Sequence, residues 1–263
     1  GGNTACVSIT EGKHTVVFDA GSGLREFGRE LMAKRVMFRG QPLSIFLSHF
    51  HWDHILGFPF FAPSFVPGNR ITIYSPAFRA RRYFKIQHGD PFFPVALEHL
   101  GATLSFRTIH EDAQRRVGPF KVKAIGLVHP GGGLGYRLDS PSGSVVYLTD
   151  TEIEQATLAQ ARKYAKFVEC ADLAIVDTQY SVLETVEKRT WGHSSVFRFI
   201  DLFRGAGVKT LAMFHYDPDS SDAAVDDLLD RAREYVGTIR LMSGLSIMAA
   251  MEGLEIEVGR GRR

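Results

Sequence analysis

Short runs of β-branched and aromatic residues recur along the chain, at 5–10, 14–19, 43–48, 71–75, 103–109, 120–128, 133–138, 144–149, 173–177, 209–214 and 247–258, and each predicts a strand. Helical patterns lie between them, at 23–34, 154–168, 194–204 and 221–236. In the last of these, Val225, Leu228, Leu229, Ala232 and Val236 fall at intervals of three and four, which lines them on one helical face. The first half is richer in strands and the second alternates strand with helix. That order predicts an α/β fold, an αββα sandwich of two mixed β-sheets flanked by helices. With no repeat at a period of 20 to 50 residues and no low-complexity linker, 1–263 reads as one domain. The Pro- and Phe-rich stretch 57–70 reads as an irregular loop that buries aromatic surface.

Composition narrows the class. At 44% hydrophobic and 23% charged, 263 residues can fill one large core or two small ones, which excludes a disordered chain or a disulfide scaffold. Lys plus Arg outnumber Asp plus Glu by only 31 to 29, so no stable nucleic-acid partner is expected, and any nucleic acid would be substrate rather than template. The segment from Arg79 to Lys85 interleaves charge with aromatics. It reads as an amphipathic helix with a solvated face, a nucleic-acid contact being the other reading. No apolar run approaches the roughly 20 residues that span a bilayer, and Gly1-Gly2-Asn3 does not resemble a signal peptide. Cys6 and Cys170 lack the paired spacing of a zinc knuckle and read as buried free thiols, so the expected location is cytoplasmic. A homodimer is left open, and no membrane partner is expected.

Ten histidines are present, and their placement carries the chemistry. The run Ser48-His49-Phe50-His51-Trp52-Asp53-His54 follows an apolar strand directly. In extended chain, alternate residues point the same way, so His49, His51 and Asp53 can converge while a turn brings His54 beside them. Four candidate ligands on one short loop exceed what a single tetrahedral ion usually takes from one segment, which implies two metals. Further on, His129, Asp150 and His215 are each the first polar ligand type after a buried β run, so they should gather at one edge of the sheets. Five histidines and two aspartates suit two divalent ions of borderline hardness; imidazole favours zinc, and the carboxylates leave manganese or iron open. His14, His88, His99 and His110 lack this context and read as ordinary core or surface residues.

The His-x-His-x-Asp-His run at His49 to His54 resembles the diagnostic motif of the metallo-β-lactamase superfamily, and the resemblance covers nearly the whole chain. Phe18-Asp19-Ala20-Gly21-Ser22-Gly23 is similar to the superfamily's early Asp-x-Gly turn, and His129, Asp150 and His215 come in its order. The resemblance implies that His49, His51 and His129 hold one metal, that Asp53, His54 and His215 hold the other, and that Asp150 bridges. It also implies that Asp19 braces the ligand loop.

Two further segments, Ile175-Val176-Asp177-Thr178-Gln179-Tyr180 and Trp191-Gly192-His193-Ser194-Ser195, resemble motifs of the phosphodiesterase branch. That branch includes ribonuclease Z, phosphoribosyl cyclic phosphodiesterase and class II cyclic-nucleotide phosphodiesterases. It implies a catalytic His193, oriented and kept protonated by Asp177, that assists the leaving alkoxide, while Asp53 orients the attacking water as it ligates. Small bacterial cyclic-phosphodiesterase-like members usually carry one more strand before a Gly-Gly-Asn like the one at the start of this chain. The expected reaction is hydrolysis of small cyclic phosphodiesters or cyclic nucleotides. Ribonuclease Z typically inserts a long tRNA-binding arm between the third His and the bridging Asp; His129 and Asp150 are 21 positions apart, too few for one. Thioester or lactone hydrolysis of the glyoxalase II and lactonase type, and tRNA 3′-processing, are the alternatives.

Overall fold

The computed structural model describes residues 1–38, 40, 42–242 and 244–259. The chain forms two compact units. One runs from Gly2 to His110 and includes Val117–Pro119; the other comprises Gly1, Glu111–Arg116 and the chain from Phe120 onward.

The N-terminal unit carries a five-stranded sheet of β1 (Val7–Glu11), β2 (His14–Phe18), β3 (Leu43–Phe46), β4 (Arg70–Ser75) and β5 (Thr103–Thr108), in that order. The β1–β2 pair is antiparallel and the remaining pairs are parallel. Each residue of β3 is buried, as a central parallel strand covered on both faces requires, whereas edge strand β1 alternates half-buried with exposed. Helices α1 (Gly23–Ala33) and α2 (Ala80–Gln87) accompany this sheet. Leu24, Leu43, Ile45, Phe58, Phe61, Ile73 and Phe84 belong to one apolar cluster. The Pro- and Phe-rich stretch folds into two 3-10 turns, Phe58–Phe60 and Ala62–Phe65, with Phe58 and Phe61 wholly buried, so the loop does bury aromatic surface. The basic segment forms α2, as the amphipathic reading expects.

The C-terminal unit is built on a seven-stranded sheet. Its strands are β6 (Gln114–Val117), β7 (Phe120–Gly126), β8 (Leu134–Asp139), β9 (Ser144–Leu148), β10 (Leu173–Asp177), β11 (Thr210–Phe214) and β12 (Ser246–Ala249), in the order β12-β11-β10-β9-β8-β7-β6. Strands β9 to β12 are parallel, while β8 runs antiparallel to both β7 and β9. Helices α3 (Leu158–Val168), α4 (Glu184–Glu187), α5 (Val196–Leu202) and α6 (Asp222–Thr238) complete the unit. A second apolar cluster includes Val146, Leu148, Tyr164, Val176, Phe199, Leu211 and Ala232. The expected fold class therefore holds: α/β, with two mixed sheets and accompanying helices.

Several boundaries differ from the sequence reading. Strand β6 was hidden by its polar Gln114-Arg115-Arg116. Helix α3 starts later than the periodicity suggests because Thr157 caps it, accepting from the Gln160 N–H while Gln160 reciprocates. The last strand ends at Ala249; the alternating Leu254, Ile256 and Val258 beyond it find no ladder partner among the described residues. Both cysteines are free, but Cys170 is exposed and Cys6 half-buried, against the expectation of buried thiols. Among the described residues, no helix is long and apolar enough to cross a membrane.

Strand direction decides where chemistry collects. Because β2 and β3 are parallel, their C-terminal ends deliver Asp19 and the run from Ser48 to one edge of the first sheet. In the second sheet β7, β9, β10 and β11 share one direction, so His129, Asp150, Asp177 and His215 emerge at one edge of that sheet.

Candidate functional site

In the N-terminal unit the ligand run is organised around Asp19. Residue 19 has φ 60°, a left-handed conformation that is strained for a non-glycine residue and turns its carboxylate back under the loop after β3. The wholly buried Asp19 accepts hydrogen bonds from the Ser48 N–H at 2.7 Å, the Ser48 hydroxyl at 2.8 Å to Oδ2, and His54 Nδ1 at 2.8 Å. Since the one hydroxyl hydrogen of Ser48 goes to Asp19, its oxygen accepts from His49 Nδ1, 2.9 Å away. His51 is extended and starts the 3-10 turn Trp52–His54, which swings His54 back so that its ring lies 4.2 Å from that of His49. The His49 and His51 rings are 4.4 Å apart. Gly21 lies against this turn; a Cβ there would collide with the Asp53 carbonyl.

In the C-terminal unit the candidates come from separate strand ends. Val128 is held by the chain after β9: its N–H donates to Thr151 Oγ1 at 3.1 Å and its carbonyl accepts from the Glu152 N–H at 2.8 Å, which fixes His129 one residue on. Asp150 has φ 48° and His215 φ 59°, so both leave their strands through strained left-handed backbone. Asp150 Oδ2 accepts from Thr149 Oγ1 at 2.6 Å. His193 donates from Nδ1 to Asp177 Oδ2 at 2.8 Å, while Asp177 Oδ1 accepts from the Gln179 N–H at 3.0 Å. The His193 ring stacks on that of His215, with centroids 5.3 Å apart and planes at 19°, and its Nδ1 lies 3.8 Å from Asp150 Oδ1. The Tyr180 and His193 rings meet nearly perpendicular, with centroids 5.3 Å apart; burial pushes the Tyr180 phenol up, partly offset by the Lys188 ammonium over its ring.

Hydrogen-bond chemistry fixes how these imidazoles present themselves. A carbonyl, carboxylate or side-chain amide oxygen can only accept. Hence Nδ1 carries the hydrogen in His129, 3.1 Å from the Gly192 carbonyl, in His215, 3.2 Å from Gln179 Oε1, and in His54 against Asp19. Each neutral ring then has its lone pair on Nε2. Yet His54 Nε2 lies 3.1 Å from Asp53 Oδ2, and His215 Nε2 lies 3.4 Å from Asp150 Oδ2. Two acceptors at such distances need a proton or a cation between them. Tetrahedral coordination at about 2.1 Å per ligand separates two ligand atoms by about 3.4 Å, so each of these pairs is spaced as two ligands of one divalent ion are. The pattern of an Nδ1–H bound to a protein oxygen is also what ligating histidines show.

Sequence reasoning named the histidines and aspartates, with Asp19 and Asp177 as the groups that brace or orient them, but missed the holders Gln179, Gly192 and Glu152. Gln179 has a readable signal, since it lies two residues beyond Asp177 in extended chain. Gly192 and Glu152 have none: their roles depend on a backbone carbonyl and on backbone N–H groups far away in sequence.

The sequence profile of the beta-lactamase superfamily domain matches residues 14–216. Ribonuclease Z of Thermoplasma volcanium is 29% identical over 261 aligned residues, covering 82% of this chain and 82% of that protein. Among solved structures, unliganded yeast PDE1 superposes with a TM-score of 0.68 at 14% identity, covering 95% of this chain and 93% of the other. Human tRNase Z, short form, does so with a TM-score of 0.65 at 17% identity, covering 98% and 93%.

Proposed function

The chain belongs to the beta-lactamase superfamily, and on that premise we propose that it is a metal-dependent hydrolase of phosphodiester bonds. The ligand assignment follows the superfamily pattern: His49, His51 and His129 for one ion, Asp53, His54 and His215 for the other, and Asp150 for both. The fold implies divalent ions, and this donor set suits zinc best, with manganese or iron as substitutes. When bound, such ions supply Lewis acidity that activates water and offsets charge on the phosphoryl oxygens.

The chain's own groups supply the rest. Attack of water on phosphorus forms one P–O bond and breaks the bond to an alkoxide, which is a poor leaving group until it is protonated. Asp177 holds the Nδ1–H of His193, which leaves Nε2 as the atom that passes a proton to the departing oxygen. In this reading Asp53, part exposed on its 3-10 turn, accepts hydrogen from the attacking water while it serves as a ligand. The observation that carries this reading is the His193–Asp177 pair beside Asp150 and His215, a proton-transfer device that thioester or lactone hydrolysis does not need.

Small cyclic phosphodiesters or cyclic nucleotides are the preferred substrates, because the 129–150 interval holds no arm to grip folded RNA. The similarity to ribonuclease Z favours RNA 3′-processing as the second reading. The free thiols of Cys6 and Cys170 suit a reducing, cytoplasmic setting. The deciding experiment compares kcat/KM at fixed metal content across bis(p-nitrophenyl) phosphate, a cyclic nucleotide, a lactone, a thioester and a pre-tRNA. A phosphodiester should lead; a thioester or lactone ahead by tenfold rejects the proposal, and a leading pre-tRNA selects the second reading. His193→Ala should keep its metal yet lose about 10²- to 10⁴-fold in kcat on the cyclic nucleotide, and much less with a nitrophenolate leaving group.

A further inference from the structure

We propose that Glu152, which is neither a candidate ligand nor part of the proton-transfer pair, is a positioning residue that sets the imidazoles of His129 and His193 by holding the turn at 190–192. The inference rests on the functional reading above for its catalytic consequence, but not for its structural content.

Glu152 is only 3% exposed. Carboxylates are almost never buried to that degree unless paired, and among the described residues no Lys, Arg or His pairs with this one. Its two oxygens are used separately: Oε1 accepts the Thr190 N–H at 2.9 Å and Oε2 accepts the Gly192 N–H at 3.3 Å. Both donors sit in left-handed backbone, with φ 71° at Thr190 and 92° at Gly192. A β-branched residue such as Thr190 resists that conformation and keeps it only where its surroundings over-determine it. A buried carboxylate that accepts from both ends of the turn is such a constraint, because releasing either N–H would leave a buried polar group without its partner.

The constrained turn has two outputs. Its Gly192 carbonyl accepts from His129 Nδ1 and so fixes which ring nitrogen keeps a lone pair; a Cβ at residue 192 would collide with the same ring. The next residue is His193, bonded to Asp177. Beyond it, Ser194 Oγ donates to the Thr151 carbonyl at 2.6 Å and accepts from the Ile153 N–H at 2.8 Å, and the Ser195 N–H reaches Glu154 Oε1 at 3.2 Å. The segment after Asp150 thus clasps 190–195 along its length, with Glu152 as the clasp on the turn itself.

Glu152→Gln tests this, since an amide of the same shape accepts one N–H but presents its NH₂ to the other. In the metal-free protein, amide exchange at Thr190 and Gly192 should rise at least tenfold while β10 amides stay protected, and the His129 ring, read by nitrogen NMR, should become a mixture of tautomers. Adding Thr190→Gly, which takes positive φ without steric cost, should restore much of the loss. In the metal-loaded enzyme, kcat with an alkoxide leaving group should fall more than with nitrophenolate, with KM little changed. Unchanged exchange and tautomer, loss of protection throughout the sheet, or no recovery in the double variant each overturns the positioning role. If wild-type protein cleaves no phosphodiester, the functional reading fails while the exchange and tautomer results still decide the role of Glu152.

Discussion

In the N-terminal unit four candidate ligands come from six consecutive positions after one strand, whereas in the C-terminal unit His129, Asp150 and His215 come from the ends of β7, β9 and β11. The first arrangement can be made rigid by one buried group, and Asp19 is that group: a single carboxylate receives His54, Ser48 and, through the Ser48 hydroxyl, His49. The second cannot. There each imidazole has its own holder, a backbone carbonyl for His129 and a side-chain amide for His215, and the loops that carry those holders must themselves be clasped. A compact ligand loop concentrates its dependence on one charge; a dispersed set gives each imidazole its own neutral acceptor and relies on further groups, Glu152 among them, to hold the loops that carry those acceptors.

The largest effect should come from the group assigned to both ions. Asp150→Ala is expected to lower metal content from about two ions per chain to well below one, while His51→Ala removes about one. Elemental analysis after reconstitution with zinc or manganese reads the difference. Unchanged content in Asp150→Ala would refute the bridge, and equal losses in the two variants would erase the distinction between shared and single ligands.

Next in size are the holders. Asp19→Asn leaves one acceptor where the loop uses two and removes the charge, so affinity for the ion held by His54 should fall about 10- to 100-fold in a chelator competition. Gln179→Leu removes one neutral hydrogen bond, worth about 1 kcal/mol, and should cost roughly fivefold or less. A Gln179 variant as damaging as the Asp19 variant would contradict the contrast between charged and neutral bracing.

The same contrast explains how much could be read from sequence. His49 to His54 are legible because adjacent residues on one loop must be adjacent in space. Asp150 and His215 are legible at one remove: each follows a buried run, and the parallel direction of β9 and β11 turns that position into a shared edge. Glu152 and Gly192 are illegible, because what matters at 152 is a pair of backbone N–H groups 38 and 40 residues away. Strand β6 escapes for a simpler reason, having no apolar residue before Val117. The overreach at 250–258 is the converse: alternation predicts a strand, but a strand also needs a neighbour.

The smallest expected difference concerns acid. Wholly buried His88 in the N-terminal unit stacks edge-on against Phe58 and Phe93, and burial pushes its imidazole below the ordinary value despite its bond to the Phe84 carbonyl. Its pKa is depressed on folding, so its contribution to stability is present above about pH 6.5 and is lost as the pH falls below that value, where the unfolded chain takes the proton more readily. In the C-terminal unit, burial alone would raise the Asp172 carboxyl, but hydrogen bonds from Lys209 and Ser144 outweigh it and hold the group below its usual range. That contribution is kept until the pH falls below about 4. Histidines of the ligand sets occur in both units, so the comparison must isolate His88. Between pH 7 and pH 5, metal-free protein should lose more amide protection in α2 and β4 than in β9 and β10, and His88→Phe, which keeps a ring in the aromatic cluster, should shrink that difference. A difference of the same size in the variant would mean that His88 is not what makes the first unit the more acid-sensitive of the two.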